Sequence, residues 1–143
     1  MVNKISIRVV EKARFTSYLK KAQEYYDIMI YAASQNKWNA SALNAIHCGI
    51  SAADALLVRF FGIRSISKDH EDVVRLLMEK FGEEHDLQHC GHLAKILSQK
   101  SQVEYDDKLF DQKSAGNIIK NAERFFDWVK SKLEEYNSKF NNY

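Results

Sequence analysis

The sequence predicts an all-α protein, an up-and-down four-helix bundle with one short additional helix. Three observations lead to that class. The 143 residues contain no proline and only five glycines, a composition that suits helices and denies chain breakers to turn-rich β architectures. Several long stretches repeat apolar residues at helical intervals. Short polar connections separate these stretches, the pattern of antiparallel helices packed as neighbours. The length suggests one domain and is enough to bury a core without covalent staples.

Residues 1–12, where Ile5, Ile7 and Val9 alternate weakly, are expected to form a loose arm before a bundle over residues 13–137 and a tail over 138–143. The first helix is expected from about Ala13 to Gln35, because Phe15, Leu19, Ala22, Tyr26, Met29 and Ala33 follow steps of four and three. Asn39 offers an amide oxygen to cap a second helix from about Ala40 to Phe61, and Gly62 is its stop. Ser67 is expected to cap a short third helix over about Lys68 to Phe81. A fourth helix is expected from about Glu84 to Val103, with Leu87, Leu93, Ile96 and Leu97 inward. The fifth begins near Gln112 and runs to about Asn137, with Ala115, Ile118, Ile119, Ala122, Phe125, Phe126, Val129 and Leu133 on its seam. No segment reads as a strand.

A net charge of +2 exerts no strong bulk pull on nucleic acid, although a local basic patch is compatible with it. The two cysteines, Cys48 and Cys90, have no framework spacing, so a reducing compartment is expected. The first residues lack the apolar run of a signal peptide. No stretch reads as the roughly 20 apolar residues that span a bilayer. The expectation is a cytoplasmic bacterial or archaeal protein with no membrane contact and no cofactor. Phosphate loops, dinucleotide fingerprints, zinc-finger spacings and nucleophile elbows do not occur.

The most informative stretch is Asn44 to Leu57. Asn44, His47, Ser51 and Asp54 recur at steps of three, four and three, so they share one face of an otherwise apolar helix. Burying a histidine and a carboxylate costs free energy unless something satisfies them, either a ligand or a paired polar seam. Arg64 and His70 bracket the next turn. Arginine offers a planar fork for phosphate, and histidine titrates near neutrality; both are also common as solvated loop residues. Lys100 and Glu104 lie one helical turn apart, with Tyr105 next to them, as a surface ion pair would. His85, His89 and His92 share a helical face, but the outer two stand two turns apart, roughly 10 Å, too far for one ion. No metal site is assigned. The tyrosines Tyr25, Tyr26 and Tyr31 read as core and rim rather than a base-stacking platform.

Taken together, four blocks in order resemble the HEPN (higher eukaryotes and prokaryotes nucleotide-binding) domain family over about residues 13–135. They are His47-Cys-Gly-Ile-Ser-Ala-Ala-Asp54, Phe61-Gly-Ile-Arg64 through His70, Lys100-Ser-Gln-Val-Glu104-Tyr105, and Ser114 through Phe126. The resemblance implies an HEPN-like bundle, usually dimeric. It also implies a role with RNA or nucleotides, often as a metal-independent endoribonuclease in bacterial defence or toxin–antitoxin systems, or beside a nucleotidyltransferase partner. In nuclease members an arginine and a histidine four to six residues later stand toward the end of a late helix. Here the matching stretch begins at Lys100 and carries no such histidine, and the arginine–histidine spacing falls instead at Arg64 and His70.

Three functions are open to this sequence. The first is a module binding RNA or a nucleotide phosphate, with Arg64 and Lys100 on phosphate and Asp54 orienting His47 or Lys100. In that reading His70 or Tyr105 donates a hydrogen bond. The second is an endoribonuclease, with His47 or His70 as general base and Arg64 on the charged phosphorane. The third is an interaction module that pairs with itself or with a nucleotidyltransferase-type partner, its polar stripe specifying only packing.

Overall fold

The computed structural model describes the backbone of residues 4–141 and the side chains through residue 135. The fold is all-α, as expected. In order it has β1 (Ile7–Val9), a single 3-10 turn (Lys12–Arg14), α1 (Phe15–Ser34), α2 (Trp38–Phe61), β2 (Ile63–Ser65), α3 (Glu71–Lys80), α4 (Glu84–Leu97), α5 (Lys100–Tyr105) and α6 (Gln112–Asn141). The helix expected to end near Asn137 continues to Asn141, and residues 142 and 143 of the expected tail lie outside the described residues.

Helix α2 is the axis of the bundle and packs against α1, α4, α5 and α6. Its small residues make this possible: Ala42, Ala45, Ala52, Ala53 and Ala55 are fully buried and let neighbouring helices approach. Gly49 is the tightest point, since a Cβ there would stand 3.0 Å from Leu93 Cδ1 on α4. By length and composition α2 could cross a membrane, contrary to the sequence expectation, but 78% of its most apolar window is buried inside the bundle. It is the core helix. Of the α6 seam, Ala115, Ile118, Ala122, Phe125, Phe126, Val129 and Leu133 are buried as expected, whereas Ile119 is only partly buried at the edge of the core.

Four expectations are corrected. Within the expected loose arm, residues 7–9 form a strand: β1 pairs antiparallel with β2, in register Ile7 with Ser65, Arg8 with Arg64 and Val9 with Ile63, while residues 1–3 lie outside the described residues. Ile7 and Val9 are exposed, at 43% and 82%, so backbone bonding rather than side-chain burial makes this strand. Asn39 does not cap α2. It lies inside the first turn, and its Oδ1 accepts the Phe110 N–H at 2.9 Å, tying the α5–α6 connection to α2. Ser67 does not cap α3, which starts at Glu71. The fourth expected helix breaks after Leu97, and the chain restarts as α5. Ser98 marks the break, donating its hydroxyl to the Lys95 carbonyl at 2.7 Å. The stop at Gly62 is as expected: φ is +64°, and its N–H donates to the Val58 carbonyl at 2.9 Å.

Candidate functional site

The polar stripe of α2 meets Tyr25 of α1 at His47 and Arg64 of β2 at Asp54. Asp54 is 3% exposed, and the Arg64 guanidinium reaches back to it, with Nη2 3.2 Å from Oδ2. Burial pushes the Asp54 carboxyl up to about 6, against the opposing pull of Arg64 and Lys21. The guanidinium also sits over the Tyr18 ring, 5.4 Å from its centre. Its Nε is buried and has no hydrogen-bond partner. Two turns away, His47 packs on Tyr25 with ring centres 5.3 Å apart. Tyr18 and Tyr25 on α1 match Asp54 and His47 on α2, each pair seven residues apart, as antiparallel helices require. Sequence reasoning missed Tyr18 and Lys21; the signal was this matched step on two helices.

The turn after β2 is held by its own side chains. Ser65 Oγ accepts the Ser67 N–H at 3.3 Å, Ser67 Oγ accepts the Asp69 N–H at 3.1 Å, and Asp69 Oδ1 accepts the Glu71 N–H at 3.0 Å. The Ser67 hydroxyl donates to Asp72 Oδ2 at 2.6 Å. This relay delays the helix to Glu71 and fixes His70 immediately before it. Burial and the Lys100 charge hold the His70 imidazole below its ordinary value, so it is neutral at neutral pH.

Two clefts meet at His70. One, of about 310 Å³, is lined by Asp54, Arg64, Ser67, Asp69 and His70 among others. The other, of about 380 Å³, is lined by Lys68, Asp69, His70, Glu71, Lys100 and Tyr105 among others. Lys100 and Glu104 form an ion pair at 2.6 Å, with side chains only 15% and 17% exposed, so it is far more enclosed than a surface pair. Hydrogen bonding from Lys100 holds the Glu104 carboxyl below its ordinary range. Thus Asp54, Arg64 and His70 come together, and His70, Lys100 and Tyr105 come together beside them. His47 lines neither cleft. Ser51 is buried on α2 and also lines neither.

The histidines of α4 do not converge on an ion. His85 Nε2 stands 3.2 Å from Asp86 Oδ1, His89 stacks on Trp128 at 5.4 Å, and His92 bonds to Asn121 at 3.2 Å. Asp86 is itself held by the Trp128 N–H at 3.1 Å and by Lys132 at 3.1 Å. Among the described residues, Glu83, His85 and Asp86 are the group with ligand atoms close enough for a metal. The Lys132 ammonium on Asp86 opposes a cation there.

The fold and this site define an all-α bundle with a cleft of mixed charge, lined by Arg64, Asp54, Asp69 and His70, at the end of its central helix. The HEPN domain family model matches residues 15–132, and the chain belongs to that family. Among solved structures it is similar to ST0689, an archaeal HEPN homologue, at 25% identity and a TM-score of 0.60, covering 84% of this chain and 98% of that one. No curated protein matches the chain.

Proposed function

We propose that this HEPN domain binds the phosphate of RNA or of a nucleotide in the cleft between Arg64 and His70. One observation carries the reading. Arg64 is oriented by a buried carboxylate and an aromatic face, keeps a buried Nε without a partner, and still exposes 31% of its side chain in the cleft that His70 lines. An arginine fixed in this way is preorganised for the planar recognition of phosphate oxygens. A thermal-shift titration with short RNA, ATP and GMP tests it, repeated on Arg64→Ala. A ligand well above its dissociation constant raises apparent stability by roughly 3 kcal/mol. The reading fails if no ligand shifts the wild type, or if the shift persists unchanged in the variant.

A second reading, metal-independent RNA cleavage, is favoured by the neutral His70 beside Arg64. In it the imidazole takes the 2′-hydroxyl proton as the 2′-oxygen attacks phosphorus. The bond to the 5′-oxygen breaks, a proton from water neutralises the leaving oxygen, and Arg64 balances the charge on the phosphorane. Cleavage that survives a chelator and is lost in Arg64→Ala and His70→Ala supports it. Unchanged cleavage in both variants removes these residues from the mechanism.

Self-association is a third element. Ile28 and Tyr31 stand three apart on α1, 51% and 61% exposed, an apolar strip that a second copy would cover. Light scattering on the wild type and on Ile28→Lys tests it: a dimer that the charge disrupts supports pairing through α1, and a monomeric wild type refutes it.

A further inference from the structure

We propose that the cleft lined by Lys100 and Tyr105 is a nucleobase subsite with Tyr105 as its stacking platform. The ligand is then an unpaired oligonucleotide of two or more residues rather than a mononucleotide. The inference rests on phosphate binding at Arg64 and concerns what lies next to that phosphate.

Tyr105 is 81% exposed although it ends a helix anchored to the bundle. Its neighbours hold it in place. The Lys100–Glu104 pair closes α5 at 2.6 Å with both side chains largely enclosed, and the Lys100 ammonium lies 5.9 Å from the Tyr105 ring centre. The phenol therefore presents an open face on a short, clamped helix. Its surroundings differ from those of Tyr31, which is also exposed but lines neither cleft at His70.

The two clefts share Asp69 and His70. A phosphate at Arg64 and His70 consequently has a second cleft at its side, into which the neighbouring nucleotide extends. The volume of about 380 Å³ falls within the roughly 300–1,000 Å³ of small-molecule sites. The charges there favour a base over another phosphate. Asp69 and Glu71 line the cleft and oppose Lys68 and Lys100, so an anion gains little. A neutral base meets carboxylates able to accept its exocyclic amine hydrogens and an aromatic face on which to stack. A base in this position must be out of a duplex, because its faces are otherwise covered by the adjacent pairs.

The test is titration of the dinucleotide ApA, followed by NMR or calorimetry, against the wild type, Tyr105→Leu, Tyr105→Phe and Arg64→Gln, with AMP as the single-residue control. Tyr105 is exposed, so its variants keep the fold, which melting curves verify. The proposal expects ApA to bind at least roughly tenfold more tightly than AMP. Tyr105→Leu should lose roughly 10- to 100-fold in ApA affinity, the usual worth of one stacked base, and Tyr105→Phe should restore it. ApA binding no tighter than AMP, or unaltered in Tyr105→Leu, overturns the base subsite; if Arg64→Gln still abolishes binding, phosphate recognition stands. Restoration failing in Tyr105→Phe also overturns stacking, because it assigns the effect to the hydroxyl. If neither probe binds the wild type, or Arg64→Gln binds both as well as the wild type does, phosphate recognition at Arg64 fails and the inference falls with it.

Discussion

Arg64 and Asp54 lie ten residues apart in the chain, on either side of a helix end, and close a 3.2 Å contact that links the turn to the buried face of α2. The left-handed residue Gly62 reverses the chain between them.

Removing the arginine leaves a buried carboxyl without its main partner. Losing one partner of a buried pair costs roughly 3–5 kcal/mol, and the 31% exposure of Arg64 reduces this through solvent screening to about 1–3 kcal/mol. Arg64→Ala is expected to lower stability by that amount at pH 7 and by much less near pH 4, where Asp54 is protonated in both proteins. Urea unfolding at the two pH values measures the difference.

The raised Asp54 carboxyl and the depressed His70 imidazole act in opposite directions on stability. Asp54 binds its proton more tightly folded than unfolded, so its contribution is present below the ordinary value of 3.8 and is lost as pH rises through about 6. His70 binds its proton less tightly folded, so its contribution is present above its ordinary value of 6.5 and is lost on acidification below it. Asp54→Asn is expected to steepen the loss of stability on acidification through this range, and His70→Gln to weaken it. Denaturant midpoints collected across the window check both signs.

Phosphate affinity follows the same two groups but in one direction. Acidification neutralises the carboxylate that competes for Arg64 and gives His70 a positive charge. Affinity for a nucleotide is expected to rise as pH falls through about 6, and the rise should be smaller in Asp54→Asn. Calorimetric titration at several pH values below and above 6 measures it; a flat profile in the wild type removes both groups from binding.

Gly62 adopts φ of +64°, and a Cβ there would stand 3.2 Å from the Val10 carbonyl oxygen. The left-handed conformation alone costs a non-glycine residue roughly 1–2 kcal/mol, and contact with a backbone atom adds to it. Gly62→Ala is expected to destabilise by about 2 kcal/mol, read from thermal melts. Gly116, by contrast, lies in α6 with open space around it. Gly116→Ala is expected to stabilise by roughly 0.5–1 kcal/mol through helix propensity.

The bundle was legible where periodicity and stop signals coincide. The α6 seam from Ala115 to Leu133 repeats without interruption, and Gly62 ends α2 as its position suggests. The break after Leu97 was not legible, because no glycine or proline marks it and Ser98 acts through a backbone bond to Lys95. Strand β1 was hidden because Ile7 and Val9 are exposed, at 43% and 82%, and neither joins the core. At the site, the α2 stripe and the Arg64–His70 turn were visible as chemistry; Asp54, Arg64 and His70 line one cleft, His70, Lys100 and Tyr105 line another, and His47 lines neither. What the sequence did not show was their division into two clefts. That depends on the serine–aspartate relay that shifts the start of α3, and on the separate packing of α5 against α2.

The pairing of Arg8 with Arg64 ties the backbone that carries Arg64 to strand β1. Val10 and Ser6 bond to Gly62 and Ile66, at 2.8 and 3.0 Å, so the backbone on either side of Arg64 is tied to a strand contributed from the far end of the sequence. For the phosphate ligand proposed at Arg64, strand docking and ligand occupancy would be thermodynamically linked. On that reading, freeing the strand would weaken the proposed ligand, and by reciprocity a bound ligand would shield the strand from exchange and cleavage. The opening strand is thus a remote handle on the guanidinium, reached without touching the cleft.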